Sequence, residues 1–301
     1  METQFSVIIL SYNTKDLTKR CIWALIKNLK TNNNFHWEII ILDNASSDRS
    51  GEMLKKIEKE NKEIKVILSK KNLGFAKGNN EAFKTAKGRF VLYYNSDVIV
   101  QDINFEKLIG YLDQNPDIGG LTVKVNLTDG NIDPASHRGF PTLRNSFFYF
   151  LGLEKLTKNI PLLNKMFGGY HLTHLDLKSI HEIDSPTGAF FLVKKSILDK
   201  LGGFDEDFFF FGEDLDLSFR IKKLGYKIMY YPLFEVLHLK HASSGDNKKK
   251  IKTKSMTRYH FYDAMKIFYE KHYEIYNPKL VNVSIYFLLN ILKNKHAQNR
   301  N

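Results

Sequence analysis

The sequence predicts an α/β protein with a mostly parallel central sheet, helices on both faces of that sheet and a helical appendage at the carboxyl end. Two observations support this prediction. Short apolar runs alternate with amphipathic segments through the first hundred residues, which is typical of parallel strands joined by right-handed helical crossovers. After residue 245 the strand pattern stops and a basic, helical pattern follows. We expect one domain over residues 1–245 and an appendage over residues 246–301, with Lys248–Lys250 as the linker.

The first elements follow from apolar spacing and from turn residues. Leu17, Cys21, Leu25 and Leu29 recur every four residues and predict a helix. The polar turn Asp43–Asp48 is rich in capping side chains, so a helix should follow it. The predicted order is strand Val7–Leu10, helix Asp16–Lys30, strand Glu38–Leu42, helix Glu52–Glu60, strand Ile64–Leu68, loop Asn72–Asn80, helix Glu81–Lys87 and strand Phe90–Tyr94.

The second half of the chain repeats these signals less regularly. Apolar β-branched runs predict strands, and acidic or glycine-flanked amphipathic segments predict helices. Between them, residues 140–177 are aromatic and basic, and we expect a helical lobe there. The predicted order is helix Phe105–Gln114, strand Gly120–Val125, the lobe, strands Ile180–Asp184 and Gly188–Val193, helices Ser196–Leu201 and Glu213–Lys223, and strands Tyr226–Tyr231 and Glu235–Leu239.

Composition narrows the class of protein. With 301 residues, 43% of them hydrophobic, the chain suits one large domain with an appendage. Its single cysteine, Cys21, excludes an internal disulfide and fits a reducing compartment. The amino terminus leads directly into a strand pattern, and no apolar run reaches the roughly 20 residues that span a bilayer. The sequence therefore predicts a cytoplasmic protein.

Polar side chains follow three predicted parallel strands at the point where each strand ends. They are Ser11–Asn13, Asp43 and Asn95–Asp97. Because the carboxyl ends of parallel strands share one edge, where ligands bind in open α/β sheets, these groups should lie together. Asp97 could hold a divalent cation that binds a phosphate, or it could cap a turn. Asp43 could accept a hydrogen bond from a nucleobase or ribose, or it could cap the next helix.

Three further points carry candidate chemistry. Glu213 and Asp214 begin a predicted helix, where the dipole favours acidic residues, and a carboxylate there could also deprotonate a sugar hydroxyl. Gly188 and Gly203 allow close backbone approach to a ligand but are equally ordinary turn residues. Of the histidines at the last strand, His238 and His241, either could be structural, although imidazole also suits Mn²⁺.

Motifs of other enzyme classes are absent from the sequence. No G-x-G-x-x-G follows the first strand and no G-x-x-x-x-G-K-[ST] occurs, which argues against a dinucleotide dehydrogenase and a P-loop NTPase. No G-x-S-x-G or paired-cysteine zinc pattern occurs either.

In order and spacing, eight segments resemble the inverting family-2 glycosyltransferases of the GT-A fold, especially the bacterial rhamnosyltransferase-like branch. The resemblance covers about residues 5–245. The segments are Ser6–Asn13, Leu42–Asp48, Asn72–Asn80, Asn95–Asp97, Thr187–Phe190, Gly202–Asp207, Phe211–Leu217 and His238.

The resemblance implies roles for individual residues. Asp43 corresponds to the residue that recognises the nucleobase, and Asn95–Asp97 stands for the metal-binding D-x-D, with Asn95 in place of one carboxylate. Asp214 corresponds to the catalytic base, and Asp97 with His238 would hold Mn²⁺ or Mg²⁺. The nucleotide-sugar site would comprise Ser11, Asn13, Asp43, Asn72, Gly74, Asn80, Asn95 and Ser96, and the acceptor side Gly188, Gly203, Phe204, Glu213 and the lobe.

The implied activity is transfer of rhamnose or another hexose from a nucleoside diphosphate sugar to a saccharide or lipid-linked acceptor, in bacterial surface polysaccharide synthesis. The alternative is a non-catalytic nucleotide-sugar-binding or scaffold subunit, because Asn95 departs from the two-carboxylate pattern.

The appendage has two readings. The chain carries a net charge of +12, of which residues 246–301 contribute +8, from 12 Lys/Arg and 4 Asp/Glu. Its apolar run Val281–Leu292 could pack on the catalytic domain or form a dimer contact. It could also lie on the anionic inner face of the cell membrane, as a peripheral anchor. The lysines are not interleaved with a nucleic-acid-binding module, so we expect no specific nucleic-acid partner.

Overall fold

The computed structural model describes residues 3–32, 35–240 and 247–297, and within them one nine-stranded sheet forms the centre of the molecule. Its spatial order is β3-β2-β1-β4-β8-β6-β9-β5, with β7 paired to β9. The strands are β1 Phe5–Ser11, β2 Trp37–Asp43, β3 Ile64–Leu68, β4 Phe90–Asn95, β5 Val98–Val100, β6 Ile118–Leu127, β7 His181–Ile183, β8 Phe190–Lys194 and β9 Lys227–His238.

Strands β1 to β4 are mutually parallel and form the first half of the sheet. A helix joins each of these strands to the next one in the chain, because a connection between parallel strands must cross from one end of the sheet to the other. The helices of the molecule are α1 Lys15–Asn32, α2 Ser50–Glu60, α3 Phe75–Phe83, α4 Phe105–Gln114, α5 Leu143–Phe150, α6 Leu153–Leu156, α7 Pro161–Phe167, α8 Lys195–Leu201, α9 Glu213–Lys223, α10 Asn247–His272 and α11 Lys279–Ala297.

The second half of the sheet is mixed. Strand β8 runs antiparallel between β4 and β6, β6 is parallel to β9, and β5 and β7 are antiparallel to β9. Because β8 is reversed, the residues that precede it lie beside the carboxyl end of β4, where Tyr94 pairs with Phe190. This reversal brings the Gly188 segment to the same edge as the polar strand ends.

The core fills both faces of the sheet. On one face, Leu25 of α1 and Phe105 of α4 are fully buried against β1 and β4. On the other face, Ala82 of α3 and Leu217 of α9 pack against Tyr93. Strand β4 is accordingly buried on both sides, which explains its continuous apolar sequence.

The predicted loop over Asn72–Asn80 is wrong in its second half, because α3 begins at Phe75. Asn79 and Asn80 are buried within this helix, and their side-chain amides form hydrogen bonds with protein carbonyls. Asn79 donates to the Phe75 carbonyl at 2.9 Å, and Asn80 donates to the Phe204 carbonyl at 2.8 Å. The predicted helix over Glu81–Lys87 is therefore the end of α3 followed by a turn.

The number of strands also differs from the prediction. The strands predicted at Tyr226–Tyr231 and Glu235–Leu239 are one strand, β9, whose register against β6 jumps between Tyr231 and Glu235. Pro232 lies in that irregular stretch and cannot donate to the ladder. The short strand β5 was not predicted at all, because three residues carry too little periodicity.

Helix α10 begins at Asn247, so Lys248–Lys250 belong to a helix and not to a linker. The helix packs on the domain through Phe268, which is buried with Phe208 and Leu215. Helix α11 packs against α10, where the Tyr269 hydroxyl donates to Asn282. His241 lies outside the described residues.

Candidate active site

The ends of β1, β2 and β4 meet at one edge of the sheet. Ser11 pairs with Asp43, and Leu10 pairs with Asn95, so the three strands end at the same level. The Asn44 backbone N–H donates to the Ser11 carbonyl at 2.8 Å and ties the first two ends together. The sequence-predicted polar points therefore do lie side by side.

Ser11 and Asn13 shape this edge. The Ser11 hydroxyl is fully buried, 3.0 Å from the Thr18 hydroxyl. Asn13 has a left-handed backbone (φ 53°), and its side-chain oxygen accepts from the Ser47 backbone N–H at 2.8 Å. Both side chains thus fasten the loop after β1 to neighbouring elements.

Asp43 keeps one oxygen without a partner among the described residues. Its Oδ2 accepts from the Ser46 backbone N–H at 3.1 Å, in the manner of a turn cap. Its Oδ1 is buried and accepts nothing. An unsatisfied buried acceptor costs free energy that a ligand N–H could recover. Asp43 therefore serves the turn with one oxygen and leaves the other for a donor.

The segment before α3 is held by Asn44. The Asn44 side chain donates to Asn72 Oδ1 at 3.0 Å and to the Gly74 carbonyl at 3.2 Å, and it accepts from the Leu73 N–H at 2.8 Å. At Gly74 (φ 80°) an added Cβ would lie 2.7 Å from the Phe209 carbonyl. Asn72 and Gly74 therefore give this segment its shape, and a side chain at position 74 would collide with the opposite loop.

Asn80, Gly203 and Phe204 form a supporting unit. The Asn80 oxygen accepts from the Phe204 N–H at 2.9 Å while its amide donates to the Phe204 carbonyl. The Phe204 ring is buried, with its centroid 4.3 Å from that of Tyr93. A Cβ at Gly203 would lie 2.5 Å from Asn80 Oδ1. The side chains of Asn80 and Phe204 therefore form contacts within the protein, and together with Gly203 they support the site from beneath.

Asp97 lies directly opposite His238. The His238 Nε2 is 3.2 Å from Asp97 Oδ1, and the Leu239 N–H donates to the Asp97 carbonyl at 2.9 Å. The other imidazole nitrogen, Nδ1, is 2.9 Å from Asp133 Oδ2. Burial lowers the pKa of His238, but hydrogen bonds and the charges of Asp133 and Asp97 outweigh it and raise that pKa above its usual value.

Asp133 is fully buried beneath His238. Its second oxygen, Oδ1, accepts from Lys240 Nζ at 2.9 Å. Burial would raise the pKa of Asp133, but the hydrogen bonds from His238 and Lys240 lower it below the usual value. An ionised carboxylate only accepts, so Nδ1 must carry the proton and Nε2 is directed at Asp97. A carboxylate behind Nδ1 is also the arrangement that orients a metal-binding histidine, and a cation at Nε2 would take the place of the proton that Nε2 donates to Asp97.

Asp214 sits in the first turn of α9 and is held by three donors. Its Oδ2 accepts from Arg138 Nη2 at 2.9 Å and from the Gly188 N–H at 3.2 Å, and its Oδ1 accepts from the Leu215 N–H at 2.8 Å. Arg138 is buried and also donates to the Pro186 carbonyl at 2.8 Å. A carboxylate has about four acceptor positions, so one position on Oδ1 has no donor among the described residues.

A short path of contacts joins Asp214 to the strand ends. Gly188 binds Asp214, and its neighbour Ala189 accepts at its carbonyl from the Asn95 N–H at 3.2 Å. Ser96, next in the chain, has its hydroxyl 3.3 Å from that of Thr14. The structure therefore brings Asp43, Asp97, His238 and Asp214, which are far apart in the sequence, to one edge of the sheet.

Glu213 lies beside Asp214 and is buried without a partner for its Oε2 among the described residues. Burial, followed by the charge of Asp214, raises the pKa of Glu213 to about 8. At neutral pH this side chain is therefore mostly a neutral acid, able to donate one hydrogen bond.

The fit of a divalent cation can be judged from the donor set. Asp97 and the Nε2 of His238 offer one oxygen and one nitrogen that face each other, and Asn95 stands nearby in sequence. In the described part of the chain, no cluster of three or more His, Cys, Asp or Glu side chains has metal-binding geometry. Two protein ligands suit a cation such as Mg²⁺, which retains waters and binds phosphate oxygens.

The family described as Glycosyl transferase family 2 matches residues 6–178, more than half of the chain. The chain belongs to glycosyl transferase family 2. The matched segment contains the ends of β1, β2 and β4, while α9 with Asp214 follows it. This family-2 glycosyltransferase therefore has the fold class that its sequence predicted.

Two curated relatives of the chain are named as rhamnosyltransferases. The chain is 26% identical over 246 residues to the rhamnosyltransferase WbbL of Escherichia coli, covering 78% of this chain and 83% of the relative. It is 29% identical over 156 residues to the N-acetylglucosaminyl-diphospho-decaprenol L-rhamnosyltransferase of Mycobacterium tuberculosis, covering 52% of this chain and 48% of the relative. The glycosyltransferase is thus similar to enzymes named as rhamnosyltransferases.

Solved structures confirm the GT-A fold. The S. aureus TarS fragment 1–349 in complex with UDP superposes with a TM-score of 0.56 at 19% identity, over 98% of this chain and 72% of that one. GalNAc-T7 with UDP, GalNAc and Mn²⁺ superposes with a TM-score of 0.58 at 16% identity, over 88% and 51%. Among the described helices, none has the length and apolarity to cross a membrane.

Several groups at this site were not singled out in the sequence. Arg138 and Asp133 lie in the irregular stretch after β6, and Asn44 follows a more conspicuous aspartate. A buried arginine and a buried aspartate are expensive unless paired, but the sequence shows no pairing pattern for partners so distant. Only the turn-forming Asp133–Pro134 gave any local signal.

Replacing Glu213 by Gln tests whether the buried acid is neutral. The pKa in the folded state, about 8, exceeds the ordinary glutamate value, so the stability linked to this proton is fully present below that value and is lost as pH rises through about 8. Each pKa unit is worth about 1.4 kcal/mol. Between pH 5 and pH 9, wild type should therefore lose stability relative to Glu213→Gln, measured by urea midpoints. Parallel losses in both proteins would contradict the assignment.

Proposed function

We propose that this glycosyltransferase moves a hexose such as rhamnose from a nucleoside diphosphate sugar to a saccharide or lipid-linked acceptor, with inversion at the anomeric carbon. The observation that carries the proposal is the contact path from Asn95 through Ala189 and Gly188 to Asp214. It supports a single cleft in which a donor held at the strand ends meets a base at the start of α9.

Asp214 is the proposed catalytic base. Arg138 and Gly188 fix its Oδ2, and the open position on Oδ1 is where an acceptor hydroxyl would bind. As the acceptor oxygen bonds to the anomeric carbon, its proton passes to Asp214 and the bond to the diphosphate breaks. The chemistry parallels inverting glycosidases, with a sugar hydroxyl replacing water. Arg138 is a positioning residue in this scheme.

Asp43 is the proposed contact for the nucleobase. Its Oδ1 has no partner among the described residues, and a carboxylate oxygen can only accept a hydrogen bond, for example from an imide N–H. Asn13, Asn72 and Gly74 would support this part of the cleft by shaping the surrounding loops.

Asp97 and His238 would hold Mn²⁺ or Mg²⁺, which would supply positive charge to the departing diphosphate. Asp133 would act behind them as a positioning residue, because it fixes which imidazole nitrogen faces Asp97.

The biological setting is proposed from the relatives. Two are named rhamnosyltransferases, and another is the poly-beta-1,6-N-acetyl-D-glucosamine synthase of Staphylococcus aureus, 27% identical over 196 residues. They support a place in bacterial surface polysaccharide or glycolipid synthesis. Structural neighbours in complex with UDP and UDP-GlcNAc support a nucleotide-sugar donor.

The appendage is the proposed peripheral membrane contact of a protein on the cytoplasmic side. The outer face of α11 exposes a stripe of apolar side chains, comprising Leu280, Val283, Phe287, Leu288 and Ile291. The same stripe would suit a homodimer contact, and vesicle binding by Leu280→Gln with Phe287→Gln separates the two.

A non-catalytic, nucleotide-binding subunit is the second candidate. It is favoured by Asn95 in place of a carboxylate and by the ion pair that engages Asp214 with Arg138. Nucleotide-sugar turnover by the purified protein distinguishes the candidates, since a scaffold would bind the donor without consuming it.

Asp214→Asn should lower sugar transfer by about 10²–10⁴-fold, the usual contribution of a general base, because asparagine cannot take the acceptor proton. Donor affinity should stay near the wild-type value. The assay is release of nucleoside diphosphate from a panel of dTDP-, UDP- and GDP-sugars, with calorimetry for binding. Asp199→Asn, an exposed carboxylate on α8, is the matched control. Full turnover in the Asp214 variant would remove it as the base.

Asp133→Asn should weaken Mn²⁺-dependent binding of a nucleoside diphosphate by about 10–100-fold, because an asparagine no longer fixes the imidazole through an ionised acceptor. Asp97→Ala should weaken it at least as much. Asp129→Asn, in the exposed turn nearby, is the control. Calorimetric titration of Mn²⁺ with each nucleotide gives the readout, and the thermal midpoint without metal verifies folding. Unchanged Mn²⁺ dependence in both site variants would place the cation elsewhere.

A further inference from the structure

In the lobe formed by α5, α6 and α7, the most buried side chains are polar and many of the exposed ones are apolar. Its buried positions are occupied by Glu154, Thr157 and Asn164. Glu154 accepts from the backbone N–H of His171 at 3.0 Å, and Asn164 donates to the Thr173 hydroxyl at 2.9 Å. Hydrogen bonds of these polar groups thus tie α6 and α7 to residues 171–173, and the half-buried rings of Phe148 and Phe167, with centroids 4.7 Å apart, join α5 to α7. In a small water-exposed domain, leucines ordinarily occupy the most buried positions.

The outside of the lobe is correspondingly apolar. Leu162 is 80% exposed, Leu156 75% and Phe147 59%, and no residue of α5 is buried. The three helices pack on one another, and Arg144 donates to the Met166 carbonyl at 3.0 Å, which links the start of α5 to α7. We define the lobe surface as Phe147, Phe150, Leu156, Ile160, Leu162 and Met166, with the cations Arg144, Lys155, Lys158 and Lys165.

The charges on this surface have one sign. From residue 143 to residue 168 the only acidic side chain is Glu154, which is buried. No carboxylate of the described residues forms an ion pair with Lys155, Lys158 or Lys165. Exposed leucines and aromatic rings interleaved with unpaired lysines are typical of segments that lie in an anionic lipid interface.

We propose that the lobe surface binds the headgroup region of an anionic phospholipid bilayer, with its apolar side chains in the interface and its lysines on lipid phosphates. A second copy of the chain fits less well. A two-fold contact through the same patch would set its lysines against each other. A negatively charged bilayer would bury the exposed apolar side chains and neutralise the excess positive charge.

The segment that follows the lobe is connected to the proposed base by hydrogen bonds. Gly139, which follows Arg138, donates to the Tyr170 carbonyl at 2.8 Å at the end of the lobe, and Arg138 holds Asp214. A bilayer on the lobe would therefore present lipid-linked acceptors from the Asp214 side of the cleft. That consequence rests on the proposed function, whereas lipid binding by the lobe does not.

Vesicle cosedimentation of the full chain tests the proposal. Wild type should bind phosphatidylcholine vesicles more tightly when they contain phosphatidylglycerol, and added salt should weaken that binding. Lys155→Glu with Lys158→Glu should reduce affinity by roughly tenfold or more. Phe150→Gln with Leu162→Gln should reduce it for both vesicle types. Matched controls, Lys56→Glu with Lys59→Glu on α2 and Leu233→Gln on β9, should bind like wild type.

A site-specific probe locates the contact. Cys21 is fully buried and burial raises the pKa of its thiol, so an introduced cysteine can be labelled selectively. An environment-sensitive fluorophore at Phe150→Cys should shift to the blue with phosphatidylglycerol vesicles, and the same label at Leu233→Cys should not.

Three results would overturn the proposal. The lobe variants could bind vesicles like wild type, with loss only in Leu280→Gln with Phe287→Gln on α11. The label at position 150 could stay water-exposed on vesicles. It could also shift with protein concentration alone, which would identify a second copy as the occupant. Because Asp214→Asn should bind vesicles normally, loss of transfer and loss of lipid binding remain separate outcomes.

Discussion

The parallel register of β1 with β2 and β4 is the constraint on which the site depends. It places Asp43 and Asn95 at one edge, beside the end of β1. The reversed strand β8 then carries Gly188 to the same edge, and Gly188 binds Asp214. A slip of one residue in any of these pairings would turn the side chains to the other face and dismantle the cleft.

The charges at this edge are arranged in layers. Asp97 and Asp214 are each paired with a buried group, His238 in one case and Arg138 in the other. Asp133 lies deeper still and fixes His238. Removing Arg138 or Asp133 would leave an uncompensated buried charge, so these two residues act on the site without touching a ligand.

The sequence predicted what local patterns encode. Helices α4 and α9 have the predicted bounds because their apolar periodicity and their first-turn residues indicate the same helix. The loop predicted over Asn72–Asn80 was wrong from Phe75 onward, since the amides of Asn79 and Asn80 form hydrogen bonds within the fold. Arg138 and Asp133 could not be predicted, because their partners lie 76 and 105 residues away. The polar interior of the lobe could not be predicted either, because its aromatic and basic composition fits several folds and does not show which side chains are buried.

The most direct measurement is a structure of the protein with a nucleoside diphosphate and Mn²⁺. We expect the diphosphate to lie between Asp97 and Asp214 and the cation to be bound by Asp97 and His238. The nucleobase should lie within hydrogen-bond distance of Asp43 Oδ1. A nucleotide bound away from these three carboxylates, under conditions where binding is saturated, would contradict the account.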